Sequence, residues 1–299
     1  MKHTLNVTVA LVVFFFTAQV VGLLVVNHYI DHVKTIELQK VSYKPLPYNL
    51  ERPEVENESA SFIYITIAIL IGTLFILLLI RYRKHFIWRF WFFGTVWLTL
   101  AVAFSAFINS TAAALLALVI SLLKSYSPNV ITQNLSEIFI YGGLAAIFVP
   151  IINLFAAFML LIVISIYDFI AVYKTKHMVK LAEFQSSSNI FAGLLIPYEK
   201  GKISIIKSKK TSKPGSGKSV AVLGGGDIGF TLIFAGVVMK GLMLTETVLA
   251  GFLKTLIIPV VVAFALLILL VKGKQNRFYP AMPVLSLGCF VGYFVVWLI

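Results

Sequence analysis

The chain is poor in most of what a soluble catalyst draws on. Of its 299 residues only 12% are charged, twelve are acidic, five are histidine and one is cysteine. Cys289 stands alone inside the last apolar run, so neither an intrachain disulfide nor a cysteine-built metal centre can form. His3, His28, His32, His85 and His177 fall outside the apolar runs or at their edges, and no H-E-x-x-H occurs. Zinc-dependent proteolysis therefore finds no support, and neither a metal nor an organic cofactor is expected. What the chain has instead is apolar surface: 60% of its residues are hydrophobic and the mean hydropathy is +0.96. Soluble domains are usually about 45–50% apolar and about 25% charged. The expected fold class is an all-α polytopic membrane protein.

The formal net charge of +13 could suggest a nucleic-acid partner. The cations bunch between apolar runs, however, as topology signals do, and no nucleic-acid partner is expected. Crossing the hydrocarbon takes about 20 helical residues. Runs at 5–27, 60–80, 86–107, 219–239, 245–271 and 280–299 meet that length. The nearly uncharged stretch 86–123 is too long for one crossing and turns at Asn109-Ser110-Thr111, giving a fourth helix at about 111–124. The stretch 134–172 breaks at Pro150, which lacks a donor and clashes with the preceding turn; this leaves a fifth helix at about 133–150 and a sixth after it. Nine transmembrane helices in one membrane domain (1–299) result. Six occupy 1–173, with an acidic outer loop at 28–59; a basic cytoplasmic loop fills 174–218; helices seven to nine occupy 219–299. The run Leu5 to Val26 is longer than a signal-peptide core and lacks a small-residue cleavage site, so it reads as a retained helix.

Charge placement orients this arrangement. With the N-terminus cytoplasmic, 19 cations fall inside and six outside, as the positive-inside rule requires. The C-terminus then lies outside, in a multi-pass protein expected in the cell membrane. Only two acidic residues lie well inside long apolar runs, Asp168 and Asp227. A carboxylate in a bilayer costs roughly 2.5–3.5 kcal/mol on insertion scales, so an intramembrane acid marks function by default. Asp168 lies about 9 Å from the inner end of helix six and Asp227 about 14 Å into helix seven. Pro280-Ala281-Met282-Pro283 begins helix nine on the same cytoplasmic half.

Two motifs of soluble proteins appear without their context. Lys213-Pro214-Gly215-Ser216-Gly217-Lys218-Ser219 resembles a phosphate loop but has Ser212 where the first glycine belongs. Gly224 to Gly229 satisfies G-x-G-x-x-G, with Glu246 about 20 residues on, but its flanks read as membrane spans rather than a parallel βαβ unit. Three glycines inside a helix would cost about 1 kcal/mol each relative to alanine in water. They suit close packing, with Gly225 and Gly229 as a small-x-x-x-small face bringing helix seven to helix six. Pro280 and Pro283 could simply start a helix; alternatively, irregular backbone there could pair with an extended peptide. The aspartates also have a structural reading, as a pair sharing a proton or bonded to neighbouring hydroxyls, but intramembrane carboxylates weigh toward function.

Tyr167-Asp168, Gly224-Gly225-Gly226-Asp227 and Pro280-Ala281-Met282-Pro283 resemble the Y-D, G-x-G-D and P-A-L signatures of presenilins and signal peptide peptidases, in the same order and on the sixth, seventh and ninth helices. Asp168-Phe169-Ile170-Ala171-Val172 is closer to the presenilin branch, and the compact ends resemble prokaryotic, archaeal-type homologues. The one departure is Met282, where the family usually has leucine; the similar volume implies slightly altered substrate positioning rather than lost activity. The resemblance implies an intramembrane aspartyl endopeptidase with Asp168 and Asp227 as its dyad, Tyr167, Gly224, Gly225 and Gly226 shaping it, and Pro280, Ala281, Met282 and Pro283 helping to hold substrate. The implied partners are single-span or signal-peptide-like membrane substrates and the bilayer, with a homo-oligomer left open.

The chemistry fits on its own terms. Two carboxylates within about 3 Å cannot both ionise, so they share a proton. One can take a proton from attacking water while the other hydrogen-bonds the peptide carbonyl. The rival readings are a proton-coupled transporter or channel using the same aspartates as a relay, against which no second copy of either motif is found, and an inactive substrate-binding homologue. Glu137 and Glu246 sit near helix ends and read as interfacial. Within the basic loop, Ile190 to Pro197 is an apolar patch too short to span. In presenilins the corresponding segment occupies the site region and is cut on activation; a segment lying on the membrane is the alternative.

Overall fold

Inside lipid every backbone donor and acceptor needs an internal partner, which makes helices the default for the apolar runs. The computed structural model describes residues 4–82, 84–174, 191–197, 220–273 and 279–299, and it is mostly helical. In chain order the helices are α1 (Leu5–Tyr29), α2 (His32–Leu38), α3 (Ser61–Arg81), α4 (His85–Phe104), α5 (Ser110–Tyr126), α6 (Val130–Phe148), α7 (Leu154–Tyr173), α8 (Gly225–Leu242), α9 (Val248–Thr255), α10 (Ile257–Lys272) and α11 (Met282–Leu298). Seven helical segments among the described residues are long and apolar enough to cross a membrane, with α9 and α10 together forming one of them. Two more apolar helices, α5 and α11, are shorter at 17 residues each.

The boundaries have local causes. Asn109, Asn129 and Asn153 each accept a backbone N–H two residues into the helix that follows, at 2.7–2.8 Å. Such a side chain satisfies one of the amides that a helix start leaves unpaired. The expected turn at Asn109 and the expected break at Pro150 both occur, the latter as a 3-10 turn, Val149–Ile151, between α6 and α7.

Helix α1 lies at the centre, against α6, α8 and α10, with Leu11, Phe15 and Leu23 fully buried. Helix α3 is its opposite: only Ser61 and Leu79 along it are buried, and it touches chiefly α7 and α4.

Two expectations need correction. The chain is not wholly helical, because Gly193–Pro197 (β1) and Val220–Gly224 (β2) form an antiparallel pair with Gly193 opposite Gly224 and Pro197 opposite Val220. The expected seventh crossing accordingly starts its helix at Gly225 rather than 219. Three glycines disfavour a helix interior, whereas Val220-Ala221-Val222-Leu223 is a short apolar run with two β-branched residues, and its burial alternates as in a strand. The apolar patch at 191–197 is therefore a packed strand with Leu194 fully buried, not a segment resting on the membrane surface. Among the described residues this sheet is a single antiparallel pair, so the G-x-G-x-x-G match lacks the parallel strands of a dinucleotide setting there. The segment 213–219 that resembles a phosphate loop and most of the basic loop lie outside the described residues.

Candidate active site

Asp168 projects from α7 five residues before that helix ends, and it is 7% exposed. The Met282 amide donates to its Oδ2 at 3.1 Å, with the Ala281 amide alongside. Both belong to the start of α11, where unpaired N–H groups and the helix dipole attract an anion. Pro283 stands in the first turn of α11, where a missing N–H costs nothing. The proline-flanked segment thus starts a helix and, by the same geometry, holds a carboxylate.

Asp227 is reached differently. It lies in the first turn of α8, directly after β2, with Gly224 as the N-cap. Its carboxylate folds back over Gly224, where an added Cβ would sit 3.4 Å from Oδ2. The sequence-based depth of about 14 Å along a helix is replaced by a strand-to-helix corner. Gly225 has its own constraint: a Cβ there would collide with the Tyr141 hydroxyl. Gly225 and Gly229 therefore pack on α6, the expected fifth crossing, rather than on α7, the sixth, as the small-residue face suggested.

Both aspartates line one largely apolar cavity of about 340 Å³. Tyr167, Gly224, Gly226 and Met282 line it too, with Phe230 from α8 and Thr66, Ile69 and Leu70 from α3. The Tyr167 hydroxyl bonds Thr73 on α3 at 3.2 Å, tying the cavity wall to α7. Gly225, Pro280, Ala281 and Pro283 are not among its lining residues. A Ser165–Ser286 hydroxyl pair at 2.8 Å joins α7 to α11 one turn from Asp168.

Several polar residues around the site escaped the sequence reading. Gln19, the lone amide between Ala10 and Val26, donates to Ile228 O at 2.9 Å and to Thr231 Oγ1 at 2.8 Å, just behind Asp227. Glu137 is not interfacial but 1% exposed, ion-paired with the equally buried Lys124 and hydrogen-bonded by Gln133 and Tyr141. Proximity to a helix end hid this, because the partner comes from α5. Glu246, by contrast, is 31% exposed beside Lys254 at a helix start. Among the described residues no three His, Cys, Asp or Glu side chains gather where a metal ion could be held.

The family described as signal-peptide peptidase, presenilin aspartyl protease matches residues 21–299. No curated protein matches. A solved structure of a presenilin family intramembrane aspartate protease in space group C222 superposes with a TM-score of 0.60 at 20% identity, covering 97% of this chain and 98% of that one. A second, in space group P2, gives 0.57 at 18% identity, covering 97% and 96%. At those identities the likeness establishes the fold, while the family match over residues 21–299 places the chain among the intramembrane aspartic endopeptidases of the signal-peptide peptidase and presenilin family.

Proposed function

We propose that the protein hydrolyses peptide bonds inside transmembrane segments of other membrane proteins, with Asp168 and Asp227 as its dyad. The observation that carries this reading is the shared cavity: both carboxylates line it, together with Gly224 and Met282. We further propose nine crossings in the cell membrane, with the N-terminus cytoplasmic and the C-terminus outside. The seven long helices and the shorter α5 and α11 would supply them.

The bond to be cut must first leave its helix, because a helical peptide carbonyl is shielded and already bonded. Unwound backbone in a bilayer is costly unless its donors and acceptors find partners. Strand β2 offers them. Gly225 N–H donates to Ala192 O at 3.2 Å, and this fixes the phase of the β1–β2 ladder. Leu194–Leu223 and Ile196–Ala221 exchange hydrogen bonds, whereas Val220, Val222 and Gly224 turn their backbone groups away from β1. Val220 and Val222 are exposed. A substrate segment added along this edge would run past Gly224 into the cavity, a strand-addition mode of recognition.

In the chemical step one carboxylate, ionised, accepts a proton from water as its oxygen attacks the peptide carbonyl carbon. The other, protonated, hydrogen-bonds the carbonyl oxygen and stabilises the tetrahedral oxyanion. Collapse breaks the C–N bond, and a dyad proton passes to the departing nitrogen. The shared proton belongs to the pair, so neither aspartate is assigned base or acid. Tyr167 would shape the cavity wall, and Met282 would both hold Asp168 and meet substrate.

The test uses detergent-purified protein and a lysine-flanked single-span peptide of valine, leucine and glycine. Asp168→Asn and Asp227→Asn should each abolish cleavage while the thermal transition is retained. Activity should follow a bell-shaped pH profile peaking from mildly acidic to neutral. Cleavage surviving in either variant removes the dyad from the mechanism.

A further inference from the structure

Gln133 and Asn134, near the start of α6, have no part in the mechanism above, yet they are 2% and 5% exposed. Asn134 acts on β1 as another strand would. Its Nδ2 donates to Leu195 O and its Oδ1 accepts Leu195 N–H, each at 2.8 Å. A carboxamide is a peptide group without a chain, so one side chain supplies both halves of a ladder step. Gln133 Nε2 lies 2.9 Å from both Phe191 O and Gly193 O. It also donates to Glu137 Oε1, the same oxygen that Lys124 binds. At Pro197 there is no N–H to satisfy. Among the described residues the outer edge of β1 is thereby closed, and the edge of β2 is the one left open.

Apolar contact alone would bury β1 against α6, but such contact is non-directional and does not resist sliding along the strand axis. Hydrogen bonds from a fixed helix to named backbone groups do resist it. Fixing β1 fixes β2 through the ladder, and β2 runs without interruption into Gly224 and Asp227. We infer that Asn134, assisted by Gln133, is a positioning residue that determines which peptide bond of the substrate meets the two aspartates. This rests on the protease reading and adds to it a determinant of where the cut falls.

The cleavage products of the same peptide, reconstituted with the protein in phosphatidylcholine vesicles, are identified by mass spectrometry. The native protein should give one dominant cut. In Asn134→Ala, products displaced by two residues should appear, since a strand's side-chain and hydrogen-bonding pattern repeats every two. KM should rise roughly fivefold or more, with a smaller change in kcat. Asn134→Asp keeps an acceptor for Leu195 N–H but sets a second carboxylate oxygen against Leu195 O, so it should not restore the native cut. Without substrate, hydrogen exchange over 193–197 and 220–224 should speed up in Asn134→Ala. If that variant does not fold, Gln133→Met, which leaves the Leu195 clamp intact, should show the same effects at smaller size. An unchanged cut position in a folded variant, or unchanged exchange over both strands, overturns the inference. Absent cleavage by the native protein, or cleavage that survives Asp168→Asn, strikes the protease reading instead; the exchange experiment still judges the clamp.

Discussion

Asp168 stands within an uninterrupted helix and receives the start of a second helix from outside, whereas Asp227 stands one residue beyond a glycine pair that opens its own helix. Each carboxylate thus meets the positive end of a helix dipole, Asp168 that of α11 and Asp227 that of α8. The supports differ accordingly. Around Asp168 they are regular helix packing, the Met282 amide and the Ser165–Ser286 pair. Around Asp227 they are a two-stranded sheet, an amide clamp and a buried ion pair, drawn from residues distant in sequence. One acid is held by a scaffold that apolar helices provide anyway; the other depends on polar interactions that must all be made at once.

The largest effect treats the two sides alike: Asp168→Asn and Asp227→Asn should both eliminate turnover, and a surviving activity on either side would break the symmetry of the chemistry. The next separates the supports. Lys124→Met leaves Glu137 as a buried charge without its cation, a change that typically costs about 3–5 kcal/mol. Thermal unfolding should shift accordingly, and Lys124→Met combined with Glu137→Leu should recover much of the loss. Hydrogen exchange should rise over 193–197 and 220–224 while 161–168 and 282–289 stay protected. Equal loosening of both regions would show that the two supports are one.

Gly225→Ala follows at about 1–3 kcal/mol, the usual range for overpacking, because its Cβ meets the Tyr141 hydroxyl and lies 3.1 Å from the ring carbon that bears it. Combining it with Tyr141→Phe removes the worst contact but strips a donor from Glu137, so recovery should be partial by melting temperature. Val222→Pro is smaller still in stability. The N–H it removes points away from β1, and proline is tolerated at a sheet edge. It should nonetheless lower kcat/KM roughly tenfold, the worth of one hydrogen bond to substrate. Unchanged kinetics would leave β2's edge without a role.

The same contrast explains what the sequence could and could not tell. Lipid demands apolar runs of fixed length, so α1, α3, α4 and α10 end within a few residues of where hydropathy places them. Asn109 and Pro150 split the long runs by purely local chemistry. Asp168 and Asp227 stood out because ionisable groups are conspicuous in apolar runs. The β1–β2 pairing was hidden because a strand is recognised by its partner, and here the partner lies more than 20 residues away. Lys124 and Glu137 each looked like a helix-end charge, since nothing in either residue's own neighbourhood discloses a buried mate. Gln19 carried a legible signal, an amide in an apolar run, which calls for a hydrogen-bonding partner; Gln133 and Asn134 did not, because Asn129, Thr132, Ser136 and Glu137 around them read as an ordinary polar helix start.

The smallest predicted effect bears on the Asp168 side. Ser165 Oγ also donates to Leu161 O at 2.7 Å, and Ser286 Oγ lies 3.4 Å from the same carbonyl. In Ser286→Ala the Ser165 hydroxyl keeps that bond, so no buried donor is stranded and the cost should be about 1 kcal/mol or less. Because helix packing and the Met282 amide remain, cleavage rate and cut position should be unchanged within error. A loss of activity without loss of stability would mean that the α7–α11 contact sets the Asp168 carboxylate as finely as the sheet sets Asp227, and the division between a passive and an active support would no longer hold.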